Sequence, residues 1–142
     1  MNMAEFHIIE EGAFGDYEFE ARAETKAGLF EICGIATFEA MTDVTIVKPV
    51  DEIDFTVAAE NDLELLYAFL SELIYIKDTE NIFFCKFDIE IEEESKLTCK
   101  AYGEHIDRGR HPLKTDVKAV TYHKFRFEQI TTGFAAHVIL DL

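Results

Sequence analysis

The chain has no tryptophan and only 2 prolines and 3 cysteines among its 142 residues. No apolar run approaches the roughly 20 residues that cross a bilayer. The first residues, Met-Asn-Met-Ala-Glu, lack the basic and apolar regions of a signal peptide. These absences predict a cytoplasmic protein. Cys33, Cys85 and Cys99 show no CxxC spacing and each lies in an apolar pattern, so we expect three reduced core thiols.

Basic residues are also scarce, with 13 Lys and Arg against 29 Asp and Glu and a formal net charge of −16. Direct binding to nucleic acid is not expected, because such binding needs clustered bases that displace counterions from phosphates. The charge favours a basic partner, a cation or simple solubility. Between residues 108 and 126, however, lies a group of bases that could meet a phosphate or an acidic partner, or could balance nearby carboxylates: Arg108, Arg110, His111, Lys114, Lys118, His123, Lys124 and Arg126.

Apolar residues make up 49% of the chain, which is enough for one core in a single domain over residues 1–142. Two-residue alternation predicts strands near 6–8 and over 17–23, 53–57, 83–91, 97–102, 117–127 and 134–140. Helical spacing predicts a helix from the cap Thr25 to about Ala40, and a second helix that begins with a capping box, Asn61 and Glu64. Turns are predicted over 10–15, where Gly12 and Gly15 allow positive φ, and over 92–96.

The resulting order, β-β-α-β-α-β-β-β-β, indicates an α+β fold. We expect two helices packed on one face of a largely antiparallel or mixed sheet, in a single two-layer domain.

Two acidic residues lie at opposite ends of the chain, each beside a predicted strand. Asp16 follows the glycine-containing turn, and Asp141 is followed by Leu142 with its carbonyl and the terminal carboxylate. If the last strand pairs near the second, these hard oxygens converge and suit calcium, magnesium or manganese rather than zinc. The alternative is that Asp16 only breaks a strand and that Asp141 is an exposed end residue.

The sequence offers little support for a catalytic centre of its own. GxSxG, HExxH and P-loop spacings are absent. His123 beside Tyr122 could act as a general base, but a histidine on a strand is more often a structural donor. Asp43 could reach a metal, or it could cap the first helix or the next turn. Lys114 and Lys118 could contact a partner, or they could balance the charge of Asp116.

Three segments, in order along nearly the whole chain, resemble the archease family. They are Met41-Thr42-Asp43, the string Lys-Thr-Asp-Val-Lys-Ala-Val-Thr-Tyr-His over 114–123, and the last five residues, Val-Ile-Leu-Asp-Leu. The resemblance implies a divalent metal site at Asp16, Asp141 and Leu142, with calcium as the ion. The family commonly shows His-Thr-Ala-Asp around the first aspartate, whereas Ala13 takes the place of the histidine here.

The resemblance also implies a function. Archease-like proteins assist the RtcB-type RNA ligase of tRNA splicing by promoting its guanylylation and its multiple turnover. The chain would then be a protein cofactor without catalytic residues of its own. Two alternatives from other classes are a metal-dependent phosphohydrolase that uses the same carboxylates and a general chaperone-like binding module.

Overall fold

The computed structural model describes residues 3–11, 16–93 and 95–142. In these ranges the helices are α1 (Lys26–Glu39) and α2 (Asp62–Glu80), and a short 3₁₀ helix covers Val44–Ile46. The strands are β1 (Ala4–Glu11), β2 (Asp16–Ala23), β3 (Asp51–Ala58), β4 (Ile82–Glu92), β5 (Lys96–His105), β6 (Ala119–Val120), β7 (Arg126–Ile130) and β8 (Gly133–Asp141). The predicted α+β class is confirmed.

The strands form two antiparallel sheets. The larger sheet has the order β1-β2-β8-β6, with β7 also paired to β8, and the smaller has the order β3-β5-β4. Helix α1 contacts β1, β2, β8 and β4, and α2 contacts strands β3 to β7. Both helices therefore bury side chains against both sheets, and the core lies where these elements meet.

The predicted helix starts are confirmed. The Thr25 hydroxyl accepts a hydrogen bond from the Gly28 amide at 3.0 Å, and Asn61 Oδ1 accepts one from the Glu64 amide at 2.9 Å. Each side chain thus satisfies one of the free amides of a helix's first turn. The other half of the predicted capping box is replaced by a long-range contact, because the Glu64 carboxylate accepts from the Tyr122 hydroxyl.

Aromatic rings fill the centre of the molecule. Phe30 and Phe38 of α1, Phe69 of α2 and Phe87 of β4 are fully or almost fully buried, and they touch one another at centroid distances of 5.8 to 6.3 Å. A Cβ at Gly34 would lie 2.9 Å from the Phe87 ring, so this glycine lets α1 approach β4 closely. The three cysteines are free, and Cys33 and Cys99 are buried as predicted, whereas Cys85 is only partly buried.

One predicted strand is wrong. Residues 117–127 do not form a continuous strand, because the chain turns between β6 and β7. Lys124 has a left-handed φ of 55°, and the Phe125 amide donates to the Tyr122 carbonyl at 3.1 Å. A ring contact stabilises this turn, since Tyr122 stacks on Tyr67 with centroids 3.8 Å apart.

Two other predictions fall partly outside the described residues. The turn over 10–15 includes residues 12–15, among them Ala13, and the turn over 92–96 includes Glu94. Neither α1 nor α2, the helices of the described residues, is long and apolar enough to span a bilayer.

Candidate functional site

The pairing of β2 with β8 sets Asp16 directly opposite Asp141. The neighbouring pair, Tyr17 and Leu140, is buried in the core, so the alternation of strand side chains turns both aspartates to the opposite face. Opposite residues of an antiparallel pair have Cβ atoms about 4.5–5.5 Å apart. The predicted pairing of the last strand beside the second is therefore confirmed, and it sets Asp16 in register with Asp141.

Strand β6 lies beside Asp141, on the side of β8 away from β2. Ala119 is the register partner of Asp141, the Lys118 amide donates to the Asp141 carbonyl at 2.8 Å, and the Thr121 amide donates to the Ile139 carbonyl at 3.1 Å. Asp141 thus has its backbone held between two strands while its side chain stays exposed. Leu142 packs its partly buried side chain against the core.

The donor set of this site consists of hard oxygens. Asp16 and Asp141 provide two carboxylates, which suit Ca²⁺ or Mg²⁺. Among the described residues, no three His, Cys, Asp or Glu side chains converge as a metal cluster. Further ligands in such a site would be main-chain oxygens, as the resemblance implies for Leu142, or water. The residues fit a shallow site that leaves much of an ion's coordination sphere open.

A buried histidine lies on the same face, four residues before Asp141. His137 Nε2 lies 2.6 Å from Glu18 Oε2, and the Lys124 carbonyl accepts from Nδ1 at 2.7 Å. The ring thereby joins β2 to the turn that follows β6. The sequence analysis missed this contact. The sequence hints at this contact only by placing one polar residue, His137, in the apolar run Ala-Ala-His-Val-Ile-Leu of β8.

Residues 114–118 tie together the C-terminal ends of both helices. The Lys114 amide donates to the Met41 carbonyl at 3.0 Å, and its Nζ donates to the Glu39 carbonyl at 3.2 Å and to the Glu39 carboxylate at 3.1 Å. This contact satisfies carbonyl groups that a helix end leaves free, with a positive charge at the favourable end of the helix dipole. Two of the family-like segments, 41–43 and 114–123, are thus joined to each other in space.

Asp116 makes the corresponding contact with α2. Lys77, in the last turn of α2, has a side chain only 5% exposed and contacts Asp116 at 2.6 Å and Asp78 at 2.5 Å. Burial works against the charge of Lys77, but the hydrogen bonds that its Nζ donates to Asp116 and Asp78 outweigh that effect and raise its pKa. The suggested balance of Asp116 by Lys114 or Lys118 is therefore wrong, since Lys77 is its partner.

Asp43 acts as a cap, which is one of the two roles predicted for it. Its Oδ1 accepts from the Thr45 amide at 3.0 Å and from the Thr45 hydroxyl at 2.6 Å, which begins the 3₁₀ helix. The Thr45 hydroxyl is also the main reason why the pKa of Asp43 is lowered.

The basic residues between 108 and 126 do not form one patch of free charge. Arg110 contacts the Glu104 carboxylate and donates to the Ile46 carbonyl at 3.0 Å. His111 is buried. Its Nδ1 accepts a hydrogen bond from the Asp107 amide at 2.9 Å, and its Nε2 lies 2.9 Å from Glu104 Oε1. The Arg110 guanidinium is the main cause that lowers the pKa of Glu104 to about 2. Arg110 and His111 thus hold the loop after β5 in place.

Comparison with known proteins agrees with the motifs. The sequence model of the Archease protein family (MTH1598/TM1083) matches residues 6–142. The protein archease of Methanothermobacter thermautotrophicus is 38% identical over 130 residues, which cover 89% of this chain and 92% of that protein. The protein archease of Pyrococcus furiosus is 34% identical over 131 residues, with the same two coverages of 89% and 92%.

Two solved structures are also similar. The solution structure of Methanobacterium thermoautotrophicum protein 1598 gives a TM-score of 0.77 at 33% identity and covers 98% of both chains. A Thermotoga maritima crystal structure, described as an archease and possible chaperone, gives a TM-score of 0.62 with 94% of both chains covered. At 17% identity the latter supports the fold alone. By the family match and the identities to its relatives, the chain belongs to the archease family.

Proposed function

We propose that this protein activates an RtcB-type RNA ligase of tRNA splicing, promoting its guanylylation and its multiple turnover. It would do so as a protein cofactor rather than as an enzyme, in the cytoplasm. The observation that carries the proposal is the pairing of Asp16 with Asp141 on the exposed face of the larger sheet. Like charges directly opposite each other in a sheet destabilise it, so this arrangement favours a role outside folding.

In this proposal Asp16, Asp141 and a main-chain oxygen of Leu142 hold a divalent cation, with Ca²⁺ as the ion. A bound divalent ion supplies a positive charge that can orient and neutralise phosphates. The chain's own part is to fix two carboxylates on a rigid strand pair and to leave the remaining coordination positions open. Ca²⁺ takes six to eight oxygen ligands, so a two-carboxylate site would present the ion to phosphate or partner groups rather than enclose it.

The electrostatics of the whole chain support a protein partner over direct RNA binding. A net charge of −16 repels phosphates at long range and attracts the basic cleft that an RNA ligase needs. Association with the ligase would therefore be fast at low ionic strength and would slow as salt is added.

A multiple-turnover RNA ligation assay with the ligase of the same organism tests the proposal. We expect the protein to increase the number of turnovers per ligase, and Asp16→Asn and Asp141→Asn each to lower that stimulation at least about tenfold, the loss typical of disrupted metal ligation. Asp54→Asn is the matched control, because Asp54 is an exposed carboxylate of the smaller sheet with Lys100 opposite. Undiminished stimulation by both site variants would contradict the metal role.

The alternatives make different predictions in simple assays. Hydrolysis of phosphoesters by the purified protein with Mg²⁺ or Mn²⁺, without any ligase, would favour the phosphohydrolase. Suppression of aggregation of unrelated proteins, unaffected by Asp141→Asn, would favour the general chaperone-like module.

A further inference from the structure

Two exposed tyrosines lie on or against the outer side of α2, Tyr75 on the helix itself and Tyr122 on the turn that follows β6. Tyr75 is 62% exposed and Tyr122 is 56% exposed. Tyr122 lies flat on Tyr67, with an interplanar angle of 8°, and its hydroxyl donates to the Glu64 carboxylate at 2.8 Å. Exposed tyrosines are typical anchors of protein interfaces, because they bury much area at a small cost in side-chain entropy.

Tyr67 and Tyr75 border a groove between α2 and the segment that includes β6. The α2 groove encloses about 240 Å³ and is lined by Tyr67, Ser71, Ile74, Tyr75, Asp78, Lys118, Ala119 and Val120. Its lining thus combines apolar and aromatic side chains with Ser71, which is small, and with the charged Asp78 and Lys118. The groove is therefore wide enough for a side chain of another protein to enter.

The α2 groove adjoins the candidate metal centre. Ala119, on its lining, is the register partner of Asp141 in the larger sheet, and the Lys118 amide is bonded to the Asp141 carbonyl. A protein seated in the groove would consequently lie beside the two aspartates. The surface and the site form one continuous region rather than two unrelated features.

Acidic side chains lie on the α2 groove and around it. Asp78 lines it, Glu64 holds the hydroxyl of Tyr122, and Asp141 lies on the adjacent strand. Lys118 is the base on the lining, while Lys77 is buried between two aspartates. In a chain of net charge −16, such a surface is complementary to a basic one.

We propose that the α2 groove is the docking surface for a basic region of the partner protein, with Tyr75 as its central anchor. This inference rests on the proposed function, in which that partner is the RNA ligase. Two other occupants fit less well. A second copy of this chain would set the same acidic surface against itself in a twofold contact. Nucleic acid would be repelled by the same carboxylates.

Isothermal titration calorimetry with the purified ligase tests the docking surface. We expect Tyr75→Ala to weaken the Kd at least about tenfold, as the loss of an interface anchor does. Ser71→Lys should weaken it by a comparable factor, because the variant brings a long basic side chain into the groove. Raising the salt concentration should weaken the wild-type Kd further.

Two variants serve as controls for these measurements. Tyr75→Phe keeps the ring and should bind as wild type does. Val50→Ala removes another exposed apolar side chain, 68% exposed and located just before β3, and should also leave the Kd unchanged. Circular dichroism and thermal unfolding of all variants check that each is folded.

The outcomes separate this inference from the proposed function. If Asp141→Asn binds the ligase but no longer stimulates it, while Tyr75→Ala binds at least about tenfold more weakly, both proposals are supported. An unchanged Kd for both Tyr75→Ala and Ser71→Lys, with wild-type stimulation intact, overturns the docking surface alone. Absence of any wild-type binding overturns both. A wild-type dimer in light scattering that Tyr75→Ala dissociates would assign the groove to a second copy instead.

Discussion

The two sheets of this protein arrange their exposed charges differently. In the smaller sheet, the central strand β5 contributes Lys100, which lies opposite Asp54 on one neighbour and Asp88 on the other, and Lys96, which lies opposite Glu92. At the end of the larger sheet, Asp16 lies opposite Asp141. Opposite charges across a strand pair stabilise a sheet and like charges destabilise it. The Asp16–Asp141 pair therefore has the charge pattern expected of a site, in contrast to the pairs that Lys96 and Lys100 form in the smaller sheet.

The largest effect on stability is expected from a substitution that forces two strands of the smaller sheet apart. A Cβ at Gly103 would lie 1.9 Å from the Phe83 carbonyl oxygen of the adjacent strand. We expect Gly103→Ala to lower the free energy of unfolding by about 3 kcal/mol, the upper part of the range for overpacking. Denaturant unfolding measures the loss. If this sheet is structural, the ligase stimulation per folded molecule should be unchanged, and a selective loss of stimulation would contradict the distinction.

Calcium should act on the larger sheet only. At a free concentration one hundred times its Kd, an ion that binds the folded state raises the free energy of unfolding by about 2.7 kcal/mol. We expect Ca²⁺ to raise the Tm of the wild type and of Asp54→Asn, but not that of Asp141→Asn. A Tm increase of equal size in all three proteins would indicate that the ion binds elsewhere.

Acid should reveal how the smaller sheet is fastened to the loop that follows it. Glu104 of β5 has its pKa lowered from 4.5 to about 2, chiefly by Arg110. A lowered pKa contributes stability that is present above about pH 4.5 and is lost as the pH falls from there towards 2. The effect should be modest because Arg110 is 36% exposed and solvent weakens the pair. We expect Glu104→Gln to be less stable than the wild type at pH 7 and to show a flatter pH dependence in this window.

The smallest effects compare the two charge patterns directly. Without a divalent ion, Asp141→Asn should raise the free energy of unfolding by about 0.5 kcal/mol, because it removes the repulsion from Asp16. Lys100→Gln should lower it by about the same amount, because Asp54 and Asp88 lose the base between them. Denaturant unfolding in the presence of a chelator measures both. Changes of the same sign would show that the two sheets are not distinguished by charge.

Local patterns in the sequence were sufficient for most elements. The alternation around Phe19 and Val138 predicted β2 and β8, and the caps Thr25 and Asn61 marked the helix starts. The pairing of Asp16 with Asp141 could also be anticipated, because it requires only that the last strand lies beside the second. These features depend on residues close in sequence or on one assumption about strand order.

Contacts between distant segments were beyond such patterns. The turn between β6 and β7 occurs at Lys124, and no glycine, proline or asparagine there marks a turn in the sequence. The turn is accompanied by the stacking of Tyr122 on Tyr67 of α2. Lys77 is buried because Asp116, 39 residues later, reaches it. The His137–Glu18 contact spans 119 residues. A single sequence cannot specify these partners, since each depends on how the two sheets and the helices come together.

The three thiols give the molecule a graded set of internal labelling sites. Burial raises the pKa of Cys99 to about 12 and that of Cys33 beyond its ordinary range, while Cys85 is only half-buried. An alkylating reagent needs an accessible thiolate. Modification of Cys33 and Cys99 should therefore follow the rate at which the whole core opens, and Cys85 should react sooner because its thiol is partly exposed. The rate of alkylation at these native thiols can therefore measure unfolding of the protein in a mixture with its partner, without an attached probe.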